Sequence, residues 1–488
     1  MGLTVSADAT ALRGVYRRRA IGLSVAAAVG GFLFGFDSSV INGAVESIQA
    51  DFALNSFVTG FVVAIALLGC AAGAMIAGSL SDRWGRLRVM FLGAIMFFVS
   101  SLGAGLAVTV WDLALWRVIG GLGIGIASVV APAYIAEVAP RQIRGGLASL
   151  QQLAITLGIF AALLSDFLLE DLAGGPNEVL WLGLDAWRWM FLVGVIPAAV
   201  YGILSFTVPE SPRYLITKGR IDEAKAIFAR LMPERDLDAT VNELVATIEA
   251  DRKNAGVSIR GPVLGLQGIV WIGIILSVFQ QFVGINVIFY YSTSLWNSVG
   301  FDNSALISVI TSITNVLVTL VAIFLVDKVG RRPILLTGSV MMAVSLGAMA
   351  LSFSFAELNA DGQLVLTGAW APIALVAANL FVIGFGASWG PLVWVLLGEI
   401  FPSRIRGKAL GFAAGAQWIA NFLITMTFPP MSEWSLPLTY GMYALFAALS
   451  FVFVFFKIPE TKGVDIEHTG ALFAVRSTGS APADQNAP

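Results

Sequence analysis

One acid lies inside a stretch that has no other reason to hold charge. Asp37 sits in the run Gly31-Phe-Leu-Phe-Gly-Phe-Asp-Ser-Ser-Val-Ile-Asn-Gly-Ala44, which closes an apolar segment beginning near Ile21. Counting back from Glu46, it lies nine residues below the far end, or ~13 Å at 1.5 Å per residue. An ionised carboxylate at that depth costs on the order of a few kcal/mol, so it should face a cavity or an opposite charge. Buried acids of this kind carry protons; the plainer alternative is an acid that caps a helix break beside the glycines. A cation is available, since Arg117 lies six residues past Trp111, ~9 Å from the same side. A second set is neutral: Gln152, Gln280, Gln281, Asn286, Asn315, Gln417 and Asn421 all interrupt apolar runs. Amides both donate and accept, which suits a neutral ligand rich in hydroxyls, and they equally serve as glue between helices.

These residues need membrane-spanning helices to position them. The 488-residue chain is 57% hydrophobic and 12% charged, with a mean hydropathy of +0.84. Its apolar blocks are mostly near 20 residues, the length that crosses a hydrocarbon core ~30 Å thick, and separate segments can do so only as helices. Twelve spans are predicted at 21–45, 57–80, 88–109, 113–136, 147–168, 187–207, 266–291, 305–326, 333–355, 370–397, 408–428 and 436–457. Residues 1–20 read as a polar tail, 209–263 as a charged insert with an amphipathic helix near Glu223–Leu231, and 459–488 as a disordered tail. Arg17-Arg-Arg-Ala-Ile-Gly resembles the start of a signal peptide, but the long run behind it reads as an uncleaved first helix.

Charge fixes the orientation. The connections after even-numbered spans hold the basic residues, including Arg83, Arg86, Arg141, Arg144, Arg331, Arg332 and Arg406. Those after odd-numbered spans hold acids, among them Asp51, Asp166, Glu170, Asp171 and Glu433, and no Lys or Arg. The excess of basic residues places both termini and the insert on the cytoplasmic side. The net charge of −2 leaves no nucleic-acid footprint, and the single cysteine, Cys70, rules out an internal disulfide.

The chain also repeats. Asp82-Arg-Trp-Gly-Arg86 returns as Asp327-Lys-Val-Gly-Arg331. Glu137-Val-Ala-Pro-Arg-Gln-Ile-Arg-Gly145 returns as Glu399-Ile-Phe-Pro-Ser-Arg-Ile-Arg-Gly407, and Pro209-Glu-Ser-Pro has an echo in Pro459-Glu-Thr-Lys. The order is kept, at separations of 245, 262 and 250 residues. Two six-helix halves, 21–208 and 264–458, are therefore expected in one orientation, a parallel repeat that suits bundles rocking about a central site.

With Gln280-Gln-Phe-Val-Gly-Ile-Asn286, Gly330-Arg-Arg332 and Gly390-Pro-Leu-Val-Trp394, these motifs resemble the sugar porter family of the major facilitator superfamily over about Ile21–Gly463. The resemblance implies an all-α membrane protein of twelve transmembrane helices in two bundles. It matches Asp37 and Arg117 to the proton-coupling pair. It assigns Gln152, Gln280, Gln281, Asn286, Asn315, Trp394 and Gln417 to sugar contacts, Phe34, Phe385 and Trp418 to aromatic walls, and Tyr290 and Tyr291 to an outer gate. It gathers Asp82, Arg83, Glu137, Arg144, Glu210, Asp327, Arg331, Glu399, Arg406 and Glu460 into a cytoplasmic salt-bridge gate. Ile159, seven residues after Gln152 on the same helix face, stands where a xylose–proton symporter has glutamine and facilitative glucose transporters have isoleucine, which leans towards a hexose.

The expected function is import of a monosaccharide such as glucose or galactose by proton symport, with the proton as coupling ion and no cofactor or metal. A passive facilitator of a sugar or an inositol-like polyol is the alternative, followed by a non-transporting sugar sensor. No enzyme is expected: the only histidine, His468, lies in the polar tail, and no nucleophile–base or metal-ligand cluster is visible. The partners implied are a sugar and the lipid bilayer of the cytoplasmic membrane, with the chain acting as a monomer.

Overall fold

The structure is a computed structural model and describes residues 2–139, 144–231, 237–254, 258–301, 303–358, 364–402 and 405–462. The tail after 462, residue Asp327's side chain and residue Arg144's side chain lie outside what is described. Helices are α1 Gly2–Val40, α2 Val45–Asp51, α3 Ser56–Trp84, α4 Arg86–Gly105, α5 Val110–Val138, α6 Arg144–Ala173, α7 Ala186–Val193, α8 Val195–Thr207, α9 Pro212–Thr217, α10 Ile221–Phe228 and α11 Leu237–Asn254. Then follow α12 Gly268–Phe282, α13 Ile285–Tyr290, α14 Ser292–Ser298, α15 Ser304–Val329, α16 Arg331–Ser354, α17 Trp370–Gly386, α18 Trp389–Ile400 and α19 Arg406–Lys457. Two small antiparallel hairpins, Val179–Trp181 with Leu184–Asp185 and Glu357–Leu358 with Leu364–Val365, close loops.

Eleven helical stretches of the described residues are long and apolar enough to cross a membrane. The last, Lys408–Lys457, is 50 residues long. It joins two spans across a kink at Ser435, whose φ of −164° and ψ of 105° leave the helical region among Pro429, Pro430 and Pro437. Twelve spans result, as predicted. Two differences stand out. Residues 2–20, expected as a polar tail, continue the first span as helix. Asp166, Glu170 and Asp171, expected in a connection, lie in the last turns of α6, because that helix runs on to Ala173.

Residues 1–47 with 65–255 form one compact unit, and 48–64 with 256–488 the other. Within the first, α1 packs along α6, α4 along α5, and α4 against α8. The α1–α6 contact is close because glycines face each other's backbone: a Cβ on Gly35 would strike the Ile155 carbonyl, and one on Gly158 the Phe32 carbonyl. Within the second, α16 packs along α17 and against α19, the same pairing of third span with fourth and with sixth. The charged insert folds as α9 to α11 around its own small core of Leu215, Ile216, Ala224, Phe228, Val241 and Ile248. Helix α9 starts with Ser211, whose hydroxyl accepts from Tyr214 N, and with Pro212 in the first turn, where no N–H is missed.

Candidate transport site

In the first unit, Asp37 on α1 and Arg117 on α5 meet. Arg117 Nη1 lies 3.2 Å from Asp37 Oδ1 and donates also to the Asp37 carbonyl at 3.3 Å. Both side chains are buried, so each charge is the other's answer to a low-dielectric surround. Phe34, one turn before Asp37, is half-buried, as are Gln152 and Ile159 on α6.

In the second unit, the seventh span breaks where expected. Helix α12 ends at Phe282, Gly284 takes φ +81°, and α13 resumes at Ile285. Only glycine accepts that backbone without strain, and a Cβ there would also come within 2.7 Å of the Tyr443 ring. The break turns Asn286 back onto α12. Asn286 Nδ2 donates to Gln281 Oε1 at 2.6 Å, Gln281 Nε2 to Gln280 Oε1 at 3.4 Å, and Gln280 Nε2 to the carbonyls of Trp389 and Gly390 at 2.9 and 3.1 Å. Three of the expected amides thus form one relay that ends on the first turn of α18. Gln280 therefore ties helices together, and Asn286, at the other end, is only partly buried.

Other expected residues are placed separately. Asn315 Oδ1 borders Gly386 on α17, next to the half-buried Phe385. Gln417 on α19 has a buried Oε1 with no partner among the described residues, and the adjoining Trp418 is buried. Tyr291 donates to the Thr425 carbonyl at 3.0 Å and packs its ring on Phe428 at 5.0 Å; Tyr290 is buried beside it. Trp394 is 43% exposed on α18, while Trp389 fills the interior and donates to Ser339 at 2.9 Å.

The repeated motifs build the same cluster twice. Gly85 (φ +93°) and Gly330 (φ +109°) each join two spans in a backbone that excludes other residues. At each, the next helix starts on a carboxylate: Arg86 N donates to Glu210 Oε1 at 2.9 Å, and Arg331 N to Glu460 Oε1 at 3.0 Å. The helix dipole and the unpaired first N–H groups favour an anion there. The arginine side chains then reach the acid of the Glu-x-x-Pro motif. Arg86 grips Glu137 through Nε–Oε2 at 3.0 Å and Nη2–Oε1 at 2.9 Å; Arg331 Nη2 lies 3.0 Å from Glu399 Oε1. Asp82 adds an outer contact to Arg86 at 3.2 Å. Arg406 donates to the Phe401 carbonyl at 3.2 Å.

Arg83 is a correction. It is exposed, and among the described residues only its carbonyl is engaged, by Tyr214 Oη at 3.4 Å. Arg86 holds the ion pair instead, because it is the first residue of α4 and faces inward beside the capping acid. The repeat itself carried this signal, since Arg86 and Arg331 occupy the same motif position.

Glu460, beyond the last span, is held below the usual glutamate range. Burial pulls it upward, but the N–H groups of Lys462, Arg331, Arg332 and Thr461 outweigh that by stabilising the ionised form. Among the described residues, no group of three His, Cys, Asp or Glu could hold a metal ion.

Residues 23–473 match the family model described as sugar (and other) transporter. The chain is 53% identical over 449 residues to the glucose transport protein of Synechocystis sp., covering 91% of this chain and 96% of that one. It is 36% identical over 487 residues to the D-xylose-proton symporter of Escherichia coli, covering 92% and 95%. Among solved structures, it is similar to a proton:xylose symporter bound to 6-bromo-6-deoxy-D-glucose, with a TM-score of 0.77, 35% identity and coverage of 93% and 99%. It is also similar to the inward-open xylose transporter from E. coli, with a TM-score of 0.79, 34% identity and coverage of 93% and 100%.

Proposed function

The chain belongs to the sugar transporter family and has its twelve-helix major facilitator fold, and we propose that it imports a hexose by proton symport. The observation that carries this reading is the buried Asp37–Arg117 pair, 3.2 Å apart in the first unit. In the empty carrier Arg117 holds Asp37 ionised. A proton on Asp37 cancels the attraction and releases Arg117 on α5 from α1, so the two helices can part. Sugar and proton then cross together, and release of the proton restores the pair. Alternating access follows if the empty carrier reorients readily only with the pair made and the loaded one only with Asp37 protonated.

The sugar is held by neutral amides, with Asn286, Asn315 and Gln417 offering donors and acceptors and Phe385 and Trp418 offering apolar faces. The hexose assignment is supported by Ile159 on α6 and by the glucose transport protein that this chain resembles. The distribution of basic residues supports a place in the cytoplasmic membrane with both termini inside, the chain acting as a monomer. The test is uptake of labelled glucose and xylose by proteoliposomes. Accumulation of glucose under an inward proton gradient, exceeding that of xylose, is expected; equal uptake with and without the gradient would make this a passive carrier.

A further inference from the structure

We propose that Asp166 is a second proton-binding site, one that sets the pH response of the helix break after α1. Asp166 lies on α6, is 2% exposed, and belongs to no ion pair among the described residues. Its Oδ2 accepts from Gly43 N at 3.4 Å, while Oδ1 is buried with no partner. Gly43 ends the 3-10 turn Ile41–Gly43 that separates α1 from α2. A Cβ at Gly43 would fall 2.9 Å from Asp166 Cβ and 2.8 Å from Met190 Sδ, so the turn's backbone lies directly on this acid.

The nearest acid, Glu170 one turn on, opposes a further negative charge at Asp166, and the cations nearby are engaged elsewhere. Helix α6 itself adds Glu170 and Asp171, and Glu46 on α2 acts on Glu170. From α1 the titratable group is Asp37, which α5 engages through Arg117. From α7 comes Arg188, whose Nη1 donates to the carbonyls of Gly105 and Ala107 and which stacks on Trp187. A proton on Oδ1 therefore removes an uncompensated charge from an apolar site, and its loss pushes the carboxylate away from the acids around it. Either change is transmitted to the turn through the Gly43 N–H. Gly43 lies six positions past Asp37, ~9 Å at a helical rise, so the turn is well placed to change access to the coupling acid.

The role in transport rests on the proton-symport reading, whereas proton binding at Asp166 does not, and two measurements separate them. The first is infrared difference spectroscopy of the purified protein during a pH titration. A titrating protonated-carboxyl band should survive in Asp37→Asn and disappear in Asp166→Asn. If Asp166→Asn removes no titrating band, the proposal is overturned whatever the protein transports. The second is sugar exchange without a gradient as outer pH is varied. Asp166→Asn keeps size and the acceptor for Gly43 N, so its profile should lose the limb that Asp166→Glu retains. A profile unchanged in both variants, with only the melting temperature lowered, would make Asp166 a packing residue and overturn its role at the turn.

Discussion

Arg86 holds Glu137 with two parallel bonds, of 3.0 and 2.9 Å, one to each oxygen, whereas Arg331 directs Nε and Nη2 to the single oxygen Oε1 of Glu399, at 3.3 and 3.0 Å. The two pairs are equivalent in sequence and differ in burial. The side chains are 9% and 11% exposed in the first pair and 13% and 25% in the second.

That difference gives an ordering. Removing one partner of a buried pair costs on the order of 3–5 kcal/mol, because the other charge is left unanswered, and the cost falls as water reaches the site. Glu137→Gln should therefore lower the melting temperature of the purified protein more than Glu399→Gln. Thr461 Oγ1 also donates to Glu399 at 2.6 Å and can stay on the amide oxygen. Equal losses, or a larger loss at Glu399, would contradict the assignment of burial as the deciding factor.

Glu460 supplies a pH dependence. The folded chain holds its carboxylate below the ordinary value of 4.5, so this contribution to stability is fully present above the unfolded value. It is lost as pH falls through the folded one. The stability gap between the native protein and Glu460→Gln should be constant near neutrality and close below about pH 4.5. Thermal melts at a series of acid pH values report it; a gap that widens on acidification would reverse the sign.

Much of this was legible in the sequence, for reasons that can be named. Span lengths follow from the bilayer, and the break at Gly284 follows from a glycine set between amides. The meeting of Asp37 with Arg117 follows from two depths counted along helices. The choice of Arg86 over Arg83 was legible too, but only by reading the repeat register, since composition treats the two alike. Asp166 was not legible. An acid near the end of an apolar run reads as a loop residue, and only the docking of the Ile41–Gly43 turn onto α6 buries it. Likewise, nothing local distinguishes Gln280, whose amide is spent on the α18 carbonyls, from Gln417, whose oxygen is not.

That last contrast is measurable. Gln417→Leu removes a buried acceptor that has no partner among the described residues, so stability should hold or rise. Sugar affinity should fall, because an unpaired sugar hydroxyl costs roughly 1–3 kcal/mol, or about 5- to 150-fold in binding. Gln280→Leu should instead melt earlier and lose less affinity, since it strips the Trp389 and Gly390 carbonyls of their donor. Binding titrations and melts on the same samples decide it. Normal affinity in Gln417→Leu would remove that residue from the sugar site.

The central claim is that Asp37 carries the proton. Asp37→Asn keeps the shape of the side chain and cannot titrate. The measurement is labelled glucose in proteoliposomes, followed as accumulation under an inward proton gradient and as exchange without one. The account predicts that accumulation disappears while exchange persists. Accumulation of glucose above its outer concentration by Asp37→Asn would contradict it.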